Sequence, residues 1–233
     1  MSQVHASVLS NRNRAHYNLL SKDYEGMTIT ESFLRIENVI SNTNTNYIFD
    51  PRTLALKDTA VRVLQKVLAD NDLFVVLDIA FFIDQRTKAK QGTAVLQTYP
   101  NVSAFSAAGT VPADLEVFYN STYSLKVANR LFIDNDTTRK FRVVPQTQQS
   151  SASNRSQSDA SSDFYHAEPL AVLSGKQDAK ITLVAPYFTG IAVEPTDVLY
   201  ENILTLEVRG YQIINGANNF EQVLHSLGLS SGK

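Results

Sequence analysis

From Leu73 to Asp84 the chain reads Leu-Phe-Val-Val-Leu-Asp-Ile-Ala-Phe-Phe-Ile-Asp, apolar in ten of twelve positions and rich in β-branched and aromatic residues. A strand with one wet face alternates apolar and polar residues; a strand that is apolar on both sides must be covered on both. One face of this segment is therefore expected against an opposing sheet, the other against a helix or a neighbouring subunit. Such a strand demands layers. A chain of 233 residues with 43% apolar content can build them as one large domain or two small ones.

Other segments carry the strand signal more conventionally. Thr28-Ile29-Thr30 followed by Phe33 to Val39 alternates, and Tyr47-Ile48-Phe49 follows the turn-forming run Ser41 to Asn46. Tyr123, Leu125 and Val127 alternate with Ser124, Lys126 and Ala128, and this strand is read as continuing through Arg130 to Ile133. Thr93 to Tyr99, Phe141 to Val144, Ala167 to Leu173 and Ile181 to Ala185 complete the set, and Ile203 to Ile214 alternates most clearly of all. Asp84 to Gly92 and Asp134 to Thr138 are charged or polar enough to read as exposed turns. Helical spacing is confined to Leu56, Ala60, Val63, Leu64, Val67 and Leu68 behind Asp50-Pro51, to a short piece after Pro112, and to Phe220–Leu229 in the tail. Eight or nine strands without regular strand–helix alternation predict a mainly β protein: a single antiparallel β-sandwich or barrel with two short helices in connections.

The organisation follows. Residues 1–26 form an arm without sustained periodicity, 27–217 the sandwich, and 218–233 a tail. Residues 146–163 hold seven Ser and nothing apolar larger than Ala, so they bury too little to offset their ordering entropy and form a long loop. Ser, Thr, Asn and Gln together number 68, against 44 charged residues, a polar surface of hydroxyls and amides that suits strands and turns.

Composition also excludes functions. With no Cys there are no disulfides, thiolate metal sites or cysteine nucleophiles. A formal charge of −2 lacks the basic surplus of a dedicated nucleic-acid binder. No run reaches the roughly 18 to 20 apolar residues of a membrane-spanning helix, and the first residues lack the apolar core of a secretion signal. His5, His16, His166 and His225 show no ligand spacing, and no Gly-x-Ser-x-Gly elbow, Walker loop or dinucleotide fingerprint is present. Asp78, the acid inside the most apolar strand, is expected to be a hydrogen-bonded structural group; to be catalytic it would have to meet another polar group in a cleft. No catalytic, cofactor-binding or metal-binding residue is assigned, and an enzyme is not expected.

Two sets of residues stand out for contact. Arg12, Arg14 and Lys22 lie in an arm that contains no acid up to Lys22; they mark a polar terminus, or an arm touching a neighbouring subunit, an acidic lipid surface or nucleic acid. Tyr187, Phe188 and Tyr200 fall in one loop region, where aromatics plug the end of the sandwich or an inter-subunit contact, or form a sugar-binding platform.

Taken together, the polar arm, some eight strands, helices inserted in connections, the Ser/Gln-rich loop and the closing run Leu204-Thr205-Leu206-Glu207-Val208-Arg209-Gly210-Tyr211 resemble the jelly-roll coat proteins of icosahedral viruses and tailless bacteriophages. The resemblance spans residues 27 to 217. It implies a jelly-roll sandwich, no cofactor, location in the virion, and self-assembly as trimers or larger homo-oligomers alongside other virion proteins. The arm would then reach a neighbour, with at most weak contact with genome or membrane. A minor virion protein (vertex, spike or tail) and a carbohydrate-binding β-sandwich are the alternatives.

Overall fold

The computed structural model describes residues 13–22, 27–53, 66–89, 114–141, 164–186 and 192–229. Eight strands run in chain order: β1 (Ile29–Val39), β2 (Asn46–Phe49), β3 (Leu73–Thr87), β4 (Thr122–Val127), β5 (Arg130–Thr137), β6 (Tyr165–Ser174), β7 (Ala179–Val184) and β8 (Tyr200–Ile213). They form two four-stranded sheets, β1-β8-β3-β6 and β2-β7-β4-β5, with antiparallel pairing throughout. First pairs with eighth, second with seventh, third with sixth and fourth with fifth. This is the strand order of a jelly roll, a long hairpin of strand pairs wound into a two-sheet sandwich. The sheets are not closed into a barrel. Helix α1 (13–22) precedes β1 and helix α2 (Phe220–Ser226) follows β8.

Period-2 patterning places the core. Leu34 and Ile36 of β1, Phe81 and Ile83 of β3, and Leu204 and Leu206 of β8 form one wall, and all are buried. Tyr47, Phe49, Tyr123, Leu125, Ile181 and Leu183 form the facing wall. Phe81 joins the two layers, its ring centroid 5.7 Å from Phe49, 5.5 Å from Tyr123 and 5.2 Å from Phe141, each in edge-to-face geometry.

The outer face of β3 is covered as well, as its composition demands. Ala80 and Phe82 are buried there, with Ile203 and Thr205 of β8 beside them. Phe164 packs on Phe82 with centroids 5.8 Å apart, and α1 lays Tyr17 against Tyr211 at 5.7 Å. The pattern stays in phase with the sheet only because β3 carries a bulge between Val76 and Asp78, opposite Gly210. A Cβ at Gly210 would stand 1.9 Å from the Val75 carbonyl oxygen. Gly210→Ala is therefore expected to cost about 1–3 kcal/mol or more in chemical denaturation. A neutral result would show that the bulge can relax.

Several expectations need correction. The segment after Ile83 is no exposed turn: β3 runs on to Thr87, with Asp84 and Arg86 buried in it. The strand beginning at Tyr123 does not run straight through Arg130. It reverses at Ala128, which takes a positive φ of 50°, and Arg130 pairs back with Val127. Asp134 to Thr137 belong to β5, where Asp136 accepts a hydrogen bond from the buried Tyr123 hydroxyl. Phe141 ends a 3-10 turn (Thr138–Phe141) rather than starting a strand. The helix expected behind Pro51 lies mostly outside the described residues. Its end is not helical, because Lys66 exchanges two backbone hydrogen bonds with Arg35 on the edge of β1, at 2.9 and 3.1 Å. Tertiary pairing overrides the local period there. The strand expected at Thr93 to Tyr99 and the Ser-rich loop 146–163 also lie outside the described residues.

Candidate contact surface and the ion network beneath it

Of the residues singled out for contact, Arg14, Lys22 and Tyr200 are described; Arg12, Tyr187 and Phe188 lie outside the described residues. Tyr200 opens β8 at one end of the sandwich. The loop leading into it, 192–199, carries Val198 and Leu199, which are 78% and 66% exposed, the most exposed large hydrophobic residues described. Val198 lines a cleft of about 310 Å³ together with Val39, itself 40% exposed, and the rim of that cleft bears Glu194, Asp197, Glu201 and Lys88.

This loop is held, not loose. Asn42, in the β1–β2 turn, accepts hydrogen bonds on its side-chain oxygen from Val193 N at 2.7 Å and Glu194 N at 3.0 Å. Its backbone N–H donates to Glu194 Oε1 at 2.8 Å. The fully buried Asn202 donates through Nδ2 to the Val193 carbonyl at 2.7 Å and accepts from Gln85 Nε2 at 3.0 Å. Asp197 closes the tip: its carboxylate accepts from Leu199 N at 2.9 Å and its carbonyl from Tyr200 N at 3.1 Å. Lys88 N donates to the Leu199 carbonyl at 2.9 Å, fastening the tip to the end of β3. Val198 and Leu199 are thus presented to solvent on a fixed turn. Asn42→Ala removes the acceptor of two loop N–H groups, and a loss of about 1–2 kcal/mol with faster amide exchange across 192–199 is expected. Unchanged exchange there would mean the loop is held elsewhere.

Beneath the cleft lies a cluster of charges on the outer face of the first sheet. Arg86 of β3 donates from Nη1 to Glu37 Oε2 at 2.8 Å and from Nε to Glu201 Oε1 at 2.9 Å. Arg35 donates to the other Glu37 oxygen at 2.7 Å. The side chains of Glu37 and Arg86 are 0% and 1% exposed. Asp84, two residues before Arg86 on the same face, has a buried Oδ1 without a hydrogen-bond partner, as have Arg86 Nη2 and Thr205 Oγ1. Burial pushes the Asp84 carboxyl up to about 7, against the pull of Arg86. Glu201 is common to both features, since it lines the cleft and anchors Arg86.

At the other end of this sheet sits α1. Leu20 is its buried anchor, and the Tyr211 hydroxyl donates to the Asn13 carbonyl at 2.9 Å. Arg14, Ala15, Asn18, Leu19 and Lys22 form an exposed stripe, with Leu19 45% exposed and no acid anywhere in 13–22. Under the helix Arg14 and Tyr17 face Glu31, Asp78, Arg209 and Tyr211 across a second cleft of about 460 Å³. Asp78 is there paired with Nδ1 of His166 on β6. It does meet a polar group beside a cleft, yet that partner already satisfies one carboxylate oxygen. The hydrogen bond fits the structural reading, and the cleft meets the condition set for the catalytic one.

Among the described residues no group of three or more His, Cys, Asp or Glu could hold a metal ion, and no helix is long and apolar enough to cross a membrane. No family model, curated protein or solved structure matches the chain.

Proposed function

We propose that the chain is a virion structural protein, a jelly-roll subunit that self-assembles into a shell with other virion proteins. The observation that carries this reading is the pair Val198 and Leu199, apolar and largely exposed on a turn fixed by Asn42, Asp197 and Asn202. A flexible loop would hide such residues at little cost. A turn that holds them outward keeps an apolar patch ready for a surface that will cover it. The eight-stranded sandwich supplies the rigid body that repeated contacts require, and the strand order is one that such shells share with other protein classes. The polar α1 stripe with Arg14 and Lys22 is the second contact element, and membrane or nucleic acid remains a weak partner for it.

The test is size-exclusion chromatography with light scattering on purified full-length protein, followed by electron microscopy of the large fractions. Trimers or larger closed assemblies are expected. A monomer at every concentration would overturn the assembly reading and favour a carbohydrate-binding sandwich, to be examined on a glycan array.

A further inference from the structure

We infer that subunits associate head to tail, the exposed stripe of α1 in one copy entering the cleft lined by Val39 and Val198, beside Leu199, of the next. This rests on the self-assembly reading and adds the two surfaces that meet.

The two surfaces complement each other in charge and in shape of polarity. The stripe offers Leu19 with the cation Lys22 one turn further on and no acid within 13–22, while Arg14 at the other end lines the cleft under the helix with Glu31 and Asp78. The cleft offers two exposed apolar side chains, Val39 and Val198, with the exposed Leu199 next to Val198 in the turn, and its rim carries three carboxylates against the single cation Lys88 among the residues lining it. Leu19 is the apolar knob and the cleft is its hole, while Asp197 and Glu194 at the rim face Lys22 of the helix.

The same copy cannot make this contact. Helix α1 packs near Glu31 and Tyr211, and the cleft begins at Val39. Eight residues of β1 separate Glu31 from Val39, roughly 26 Å of extended strand. The rigid sheet holds donor and acceptor apart at opposite ends. A contact between unlike surfaces of two identical chains is heterologous, so it propagates from copy to copy and closes into a ring or shell if the rotation allows.

Heterologous association has a signature that a symmetric dimer lacks. Leu19→Asp disables the helix, and Val198→Asp with Leu199→Asp disables the cleft; all three positions are exposed, and thermal melts check that the variants keep the fold. Each variant alone is expected to lose assembly at least tenfold in the concentration it requires. Mixed in equal amounts they retain one good helix and one good cleft between them. Light scattering should then show a one-to-one dimer and nothing larger. If both variants assemble as the wild type does, the head-to-tail contact is overturned while the shell reading stands. If each variant is monomeric and the mixture forms no dimer, the two surfaces do not meet, and the proposal again fails. If the wild type itself never assembles, both fall together.

Discussion

Replacing Arg86 with Met is expected to lower the unfolding free energy by about 3–5 kcal/mol, the cost of leaving buried carboxylates without their counter-ion. Arg86 joins three of the four strands of its sheet: its own β3, Glu37 on β1 at 2.8 Å and Glu201 on β8 at 2.9 Å. Its side chain is 1% exposed and that of Glu37 is 0% exposed, so water cannot replace the lost hydrogen bonds. Arg35 would still hold one Glu37 oxygen, which keeps the expected loss within that range. Arg86→Lys preserves the charge but cannot supply two directed N–H donors to two different carboxylates, so an intermediate loss is expected. Urea denaturation of the three proteins at one pH is the measurement. A change below 1 kcal/mol for Arg86→Met would show that solvent reaches the cluster. The pairing with Glu37 can be isolated by adding Glu37→Gln: if they interact as the geometry states, the double variant loses less than the sum of the two single losses.

This cluster is also where the sequence was least informative, for a physical reason. Asp84-Gln85-Arg86-Thr87-Lys88 looks like a solvated turn because its charges are dense and local. What buries Asp84 and Arg86 is non-local, since the partners Glu37 and Glu201 lie 49 and 115 residues from Arg86 along the chain. By contrast, Leu73 to Ile83 could be read as a doubly covered strand because the signal lies wholly within the segment. The alternations of β1, β4 and β8 were legible for the same reason. The hairpin at Ala128 was missed because its positive φ falls on an alanine rather than on the Asn-Gly or Asp-Gly that usually marks such a reversal. Helix α1 has one buried apolar anchor, Leu20, too few to make a period, and its docking depends on a hydrogen bond across 198 residues from Tyr211. At the cleft, Tyr200 is among the lining residues. Val198 and Leu199 did not stand out, because nothing local tells an exposed apolar pair from a buried one. Asn42 lies about 150 residues away from the loop that it holds.

Asp84 makes a second large effect, and its sign is opposite to that of a salt-bridged acid. Its carboxyl is raised to about 7 in the folded protein, mainly by burial; Arg86 and Arg35 pull it down, and Glu37 and Glu201 push it up. In the unfolded chain it titrates near the ordinary value of about 3.9. The folded state therefore holds the proton more tightly than the unfolded state does. Stability from this group is complete below about pH 4, declines as pH rises toward 7, and is gone above that, a change on the order of 4 kcal/mol. Asp84→Asn places a neutral group of the same shape at the site and removes the titration. At pH 4 the variant should match the wild type within about 1 kcal/mol; at pH 8 it should be the more stable by several, on the order of the same 4 kcal/mol. Denaturant unfolding at pH 4, 6 and 8 reads this as a widening gap between two curves. Parallel curves would mean that Asp84 is ionised throughout, held by Arg86 strongly enough to cancel its burial. Because Glu201 shares Arg86 with this cluster and lines the cleft above, the charge that appears on Asp84 near neutrality is placed directly under the cleft proposed to receive a second copy.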